Sequence, residues 1–322
     1  MTDPLLEPLL AGDRRALAQS ITLIESTRAD HRQRADALLA AVLPHTGKSV
    51  RLGITGVPGV GKSTLIERFG LSLIGQGRSL AVLAIDPSSK RGGGSILGDK
   101  TRMEELSRQK AAFIRPSPAG TTLGGVARRT REAMLLSEAS GFDTVIVETV
   151  GVGQSETAVA DMVDMFIVLL LPAGGDDLQG IKRGVIELAD LIVVNKADGD
   201  LEATAKRSAA DYQHALRMLR SPTPGWIPEV VTCSAQTGKG VTELWTIVDR
   251  FYKAVGEMGI AHRRAEQARA WMWNEVGETL LGELRRHPEV KRLVGGLEND
   301  VENGRITPAA AARRMLQAFY GR

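Results

Sequence analysis

Cysteine is almost absent: the 322-residue chain holds one, Cys233, which excludes an internal disulfide and any metal centre built from several thiolates. Aromatic residues are scarce at 4 %, and the most apolar run, Met165 to Ala173, is far too short to span a bilayer. Charge of one sign is lacking too. The 41 basic and 38 acidic residues are interspersed and leave a net +3, which gives no footing for nucleic acid or a membrane surface. The five histidines, His31, His45, His214, His262 and His287, are isolated, so clustered ligands for nickel or cobalt delivery are missing. Met1 to Leu10 carries Asp3 and Glu7 and has neither a basic segment nor a long apolar core, so no leader is expected and the expected compartment is the cytoplasm. Low-complexity linkers and internal repeats are also absent, and a 43 % hydrophobic content suffices for one large core with helical additions.

What is present is a phosphate-binding loop. Gly56-Val57-Pro58-Gly59-Val60-Gly61-Lys62-Ser63 fits G-x-x-x-x-G-K-[ST], follows the strand-like Val50 to Thr55, and leads through Thr64 into a helix-like run to Phe69. Glycines let successive backbone N–H groups turn toward phosphate oxygens, and the helix adds its positive N-terminus. Lys62 is expected on the β- and γ-phosphates and Ser63 on a magnesium ion, which prefers hard oxygen ligands. A second motif, Asn195-Lys196-Ala197-Asp198, ends the apolar run Asp190 to Val194, where parallel sheets place ligand-binding loops. Asp198 can accept from the guanine ring N–H and its amine, donors that adenine lacks on that edge, so GTP is expected over ATP. A third run, Glu229 to Cys233, ends in Ser234-Ala235-Gln236, a loop suited to backing guanine with backbone amides.

Between these motifs lie two segments placed to sense the γ-phosphate. Asp86 to Lys100 follows the strand-like Leu80 to Ile85, contains Gly92-Gly93-Gly94, and offers Asp86 and Asp99 to the magnesium shell. Glu148 to Gln154 ends the apolar run beginning at Thr144, with Glu148 expected beside the magnesium ion and the Gly151 N–H available to the γ-phosphate. Where Ras-like enzymes orient water with a glutamine, this chain has Val152, which neither donates nor accepts, so slow intrinsic hydrolysis is expected. Gln154 could take over that task, and Lys100, Arg102, Lys182 and Arg183 are candidate cationic stabilisers, each also readable as a solvated charge.

Three parts follow from the patterning. Residues 1–48 read as an N-terminal helical extension, with Leu17, Ile21, Ile24, Leu38, Leu39 and Val42 at helical spacing. Residues 49–258 read as an α/β nucleotide domain of the P-loop NTPase class, a mostly parallel sheet covered by helices. Residues 259–322 read as a helical tail, in which Thr307-Pro308 resembles an N-cap followed by an N1 proline. Trp271, Met272 and Trp273 concentrate apolar bulk there, suited either to packing back on the domain or to a dimer contact.

Together, Gly53 to Thr64, Val82 to Met103, Phe113 to Gly125 and Val147 to Asp161, with Leu178 to Gly184 and Asn195 to Asp198, resemble the MeaB/ArgK family of GTPases over most of residues 15–255, most specifically in Ile54 to Thr64, Gly94 to Met103 and Glu148 to Glu156. The resemblance implies a homodimeric, magnesium-dependent G-protein chaperone of adenosylcobalamin-dependent methylmalonyl-CoA mutase or a close relative, gating cofactor loading and protecting the enzyme. Carried onto matching positions, it assigns the Lys62 loop to phosphate, Ser63, Asp86, Asp99 and Glu148 to magnesium, Asn195, Lys196 and Asp198 to guanine, and Asp176 to Lys182 to a third nucleotide-responsive segment facing the partner. Gly92 and Ala173-Gly174-Gly175-Asp176-Asp177 depart from the family pattern, which touches switch dynamics or partner choice and leaves nucleotide binding intact. The alternatives are a nickel or cobalt metallochaperone GTPase, an ATP-using kinase, which Asp198 argues against, and a nucleotide-gated scaffold with little turnover.

Overall fold

A computed structural model describes residues 3–85, 103–117, 123–149, 155–172 and 183–321. Among them a seven-stranded, all-parallel sheet runs in the order β3-β2-β4-β1-β5-β6-β7. The strands are β1 (Val50–Gly56), β2 (Leu80–Ile85), β3 (Ala112–Ser117), β4 (Thr144–Thr149), β5 (Met165–Leu170), β6 (Leu191–Val194) and β7 (Glu229–Thr232). β2, β4, β5 and β6 are buried at every position, as expected for strands covered on both faces, which is why β2, β5 and β6 read as unbroken apolar runs, while β4 buries Glu148 and Thr149 at its end. β3 is absent from the strand-like runs of the sequence because it contains Arg115 and Pro116. It is an edge strand, where a missing N–H is tolerated.

From β1 the chain moves toward β2 and β3 on one side, returns through β4, and then crosses to β5 on the other side. Such a reversal opens a crevice beyond the C-terminal ends of the strands, here beside β1. The sheet core packs Leu52, Ile54, Val82, Ile146, Ile167 and Leu191 against Phe69, Trp245 and Phe251 of the flanking helices.

Residues Met1–Gln267 form one compact unit and Ala268–Arg322 a second. Within the first, the N-terminal helices Leu6–Leu10, Arg14–Glu25 and Ala29–Val42 pack on the helix Leu123–Ala139. The Asp13 carboxylate accepts from the N–H groups of Arg15 and Ala16 at 2.7 and 3.0 Å and starts the second of these helices, which buries Leu17, Ile21 and Ile24. Arg32 donates to Glu132 at 2.8 Å across that interface. The helix Glu243–Arg286 leaves helical geometry at Gly256, whose φ of 71° suits glycine, and Ile260 beyond the break still belongs to the core of the first unit. The second unit pairs the helices Pro288–Glu302 and Pro308–Phe319, the latter capped by the Thr307 hydroxyl and begun by Pro308.

Candidate functional site: a nucleotide crevice

The phosphate loop leaves β1 at Gly56 and closes at Gly61, from which the helix Lys62–Gly75 starts with no side-chain cap. Its first N–H groups therefore remain available to an anion. Glycine is required at both ends of the loop. At Gly56 a Cβ would lie 2.6 Å from the Leu169 carbonyl oxygen, and at Gly61, with φ of 95°, it would lie 2.6 Å from Asn195 Nδ2. Lys62 is buried, and its ammonium donates to the carbonyl oxygens of Gly56 at 2.8 Å and Val57 at 3.2 Å. The next residue, Ser63, donates from Oγ to Glu148 Oε1 at 3.1 Å.

Glu148 reaches Ser63 because β4 lies beside β1 in a register that pairs Glu148 with Ile54 of β1 and with Ala84 of β2. The carboxylate is buried, with 6 % of the residue exposed, at the C-terminal end of its strand. One residue on, the hydroxyls of Thr149 and Thr55 meet at 2.6 Å in the interior, joining the last residues of β4 and β1 before the phosphate loop. That pair was not singled out from the sequence, because its signal, two threonines at facing strand ends, is visible only once β1 and β4 are known to be neighbours.

The guanine-type loop stands on β6, and Asn195 is its hub. Its Nδ2 donates to the Val60 carbonyl oxygen at 2.8 Å, which ties it to the phosphate loop. Its Oδ1 accepts from the Ala235 N–H at 3.0 Å and from the Cys233 thiol at 3.4 Å. Lys196 takes a positive φ of 58°, uncommon for a residue with a side chain, and lines the crevice. Asp198 Oδ2 accepts from the Ser234 hydroxyl, which itself accepts from the Thr237 N–H at 3.1 Å. Burial first, and then the Asp198 charge, push the Cys233 thiol up to about 12, so it stays protonated as a donor.

A cavity of about 550 Å³ joins these parts, lined by Gly59, Lys62, Ser63, Thr64, Glu148 and Lys196 among others. Its size suits a small-molecule cofactor. The structure thus brings Gly56 to Thr64 together with Glu148, and links the loop to Asn195, Ser234, Ala235 and Asp198, while Gln236 is exposed in the turn that follows. Asp86, Lys100, Asp99, Arg102, Val152, Gln154 and Lys182, with Gly92 and the 173–177 segment, lie outside the described residues. Among the described residues no three His, Cys, Asp or Glu side chains gather into a group that could hold a metal ion, and no helix is long and apolar enough to cross a membrane.

The comparisons agree with this geometry. The family model for the methylmalonyl-CoA mutase-associated GTPase MeaB matches residues 17–289. A putative GTPase of Caulobacter vibrioides is 58 % identical over 318 residues, 98 % of this chain and 97 % of the relative. The methylmalonic aciduria type A homolog of Mus musculus, a mitochondrial protein, is 49 % identical over 99 % of this chain and 80 % of its own length. GTPase ArgK of Escherichia coli is 47 % identical over 96 % of this chain and 94 % of its own. A crystal structure of a LAO/AO transport system kinase superposes with a TM-score of 0.79 at 39 % identity, covering 98 % of this chain and 96 % of that one. With the phosphate loop and the Asn-Lys-x-Asp loop joined at one crevice, the chain belongs to the MeaB family and is a P-loop GTPase.

Proposed function

We propose that this GTPase is a magnesium-dependent chaperone that assists assembly, cofactor loading and protection of an adenosylcobalamin-dependent mutase of the methylmalonyl-CoA type. The observation that carries the reading is the bond from Asn195 to Val60, which makes base recognition and phosphate recognition one unit in a chain that matches the mutase-associated family over residues 17–289.

In this reading Lys62 exchanges the Gly56 and Val57 carbonyls for the β- and γ-phosphates, while the N–H groups of residues 59–64 surround the phosphate oxygens. Ser63 and Glu148 offer a hydroxyl and a carboxylate oxygen 3.1 Å apart, the hard donors that Mg²⁺ prefers, so the residues present fit that ion; Asp86 and Asp99 would complete its surroundings. The ion would supply charge neutralisation on the β- and γ-oxygens. Asp198 accepts from the guanine N–H and amine, while its Oδ2 also accepts from the Ser234 hydroxyl. Asn195 and Lys196 shape the base pocket, and Ser234, Ala235 and Gln236 back it. Gln154 orients the water in place of Val152, and turnover of the isolated protein is slow. The working form is a cytoplasmic homodimer that contacts neither nucleic acid nor membrane. Residues 259–322 act as its dimerisation arm, where Trp273, Val276 and Leu280 are exposed at helical spacing.

The test measures GTP hydrolysis by the purified protein alone and with a cobalamin-dependent methylmalonyl-CoA mutase, with ATP as control. Slow turnover of GTP, none of ATP, and acceleration by the mutase are expected. GTP turnover that the mutase neither accelerates nor alters through a stable complex would overturn the partner and leave the GTPase.

A further inference from the structure

The sheet end opposite the nucleotide crevice carries a group of side chains that GTP binding does not use. Three of them lie on little more than one turn of the helix Glu243–Arg286, beyond its break at Gly256. Arg264 forks onto Asp164, with Nε at 2.8 Å from Oδ1 and Nη2 at 2.6 Å from Oδ2, and also donates to the carbonyl oxygens of Ser49 at 2.6 Å and Gly47 at 2.5 Å. Gln267 is buried and donates from Nε2 to the Val163 carbonyl oxygen at 2.9 Å. Arg263 donates to the Thr223 hydroxyl, which donates in turn to the Asp190 carboxylate.

Asp164 is wholly buried and has further donors in the Arg51 N–H at 3.0 Å and the Tyr252 hydroxyl at 2.5 Å. Residues 163 and 164 are thus held by one helix turn from outside and by the start of β1 from inside. They are also the end of a short connection. The helix Ser155–Ala160 leads directly into it, with Asp161 N–H bonded to the Thr157 carbonyl and Met162 N–H to that of Val159, both at 3.0 Å. That helix follows the 150–154 segment in the chain, and its Val159 packs on β1 so closely that a Cβ at Gly53 would lie 2.9 Å from it and from Val163. Gly53 is three residues from Gly56, where the phosphate loop begins.

We infer that Arg264 and Gln267 are positioning residues for GTP hydrolysis, acting through residues 163–164 on the helix Ser155–Ala160 and on β1, at whose end the phosphate loop begins. Charge-assisted hydrogen bonds and close packing connect Arg264 and Gln267 through Asp164, Val163 and Val159 to Gly53 of β1, and a guanidinium that makes four hydrogen bonds leaves the 161–164 connection little freedom. Hydrolysis needs tighter placement of groups than nucleotide binding does, because sub-ångström errors weigh on the reacting geometry. Loss of the anchor therefore acts on turnover more than on affinity. The inference concerns the GTPase reaction itself and stands independently of the mutase as partner.

The experiment compares the full chain with Arg264→Met in single-turnover GTP hydrolysis, fluorescent-GDP affinity, and amide exchange over 155–164 and 195–198. Turnover is expected to fall about tenfold while GDP affinity stays within about twofold, with faster exchange confined to 155–164. Arg264→Lys, which keeps the charge without the fork, should recover part of the loss. Unchanged turnover in the folded variant, or turnover and GDP affinity falling together, would overturn the inference. Should Arg264→Met fail to fold, Gln267→Leu removes a single neutral donor and carries the same test. It is expected to lose about threefold in turnover at constant GDP affinity, and unchanged turnover there is equally decisive against it.

Discussion

The two ends of the same sheet solve opposite problems with similar chemistry. At the C-terminal ends of β1 and β4, the buried Lys62 ammonium bonds to the Gly56 and Val57 carbonyls and Ser63 to Glu148, partners that in the proposed function give way to a nucleotide and its ion. At the N-terminal ends, Arg51 forks onto Glu138 at 2.6 and 2.9 Å, and Arg264 onto Asp164, with each carboxylate also accepting a backbone N–H, from Gly47 and Arg51 respectively. These second pairs have side-chain exposures of 5 % and 1 %, and 15 % and 0 %, so solvent has little access to either carboxylate. The difference teaches that burial alone does not mark a site. In the proposed function exchangeable partners do, and the strand ends divide along that line.

The comparison breaks most sharply at the fixed end. Replacing Glu138 by Ala leaves the Arg51 guanidinium buried without its counter-charge, a change that costs about 3–5 kcal/mol in folding free energy. Chemical denaturation should show that loss, while GDP affinity of the folded fraction stays the same. A drop in GDP affinity as large as the loss of stability would mean the two ends are not separable. The exchangeable end should answer in the opposite sense. Lys62→Ala removes a charge-assisted contact to phosphate worth about 1.5–3 kcal/mol, so GTP and GDP affinity should fall about 10- to 100-fold with a small change in unfolding midpoint. Titration calorimetry beside the same denaturation curve checks both halves.

Legibility in the sequence follows the same division. The phosphate loop and Asn195 to Asp198 are readable because each needs particular residue types at fixed spacing, directly after a strand-like run. β3 escaped that reading because Pro116 and Arg115 are allowed only by its edge position, a property of the assembled sheet. Arg51, Glu138, Asp164 and Arg264 escaped it for a different reason. They are ordinary charged residues up to 213 positions apart in the chain (264 − 51 = 213), and nothing local distinguishes a buried fork from a solvated charge. Cys233 stands between, noted in a strand for its rarity, with its bond to Asn195 visible only once β6 and β7 are paired.

Cys233 also offers the gentlest way to sharpen the contrast, through pH. Its thiol sits at the exchangeable end, yet burial lifts it from about 9 to about 12, so the folded chain keeps a proton that the unfolded chain releases. Between those values the unfolded state binds fewer protons than the native one, and stability falls as pH rises. The contribution is fully present below pH 9 and is withdrawn at up to about 1.4 kcal/mol per pH unit above it. Tyr252 at the fixed end is raised in the same direction by burial and by Asp164, adding its own loss above pH 10. Denaturation curves at pH 8.5 and 9.7 therefore weight the thiol over the phenol, since the unfolded thiol passes most of its titration in that interval and the unfolded phenol only about a third of its own. Wild type should lose about 0.5–1 kcal/mol across it and Cys233→Ala markedly less. Equal losses in both proteins would mean the thiol is not sealed at the guanine loop, and that this loop opens to solvent more readily than its bonds to Asn195 and Ala235 imply.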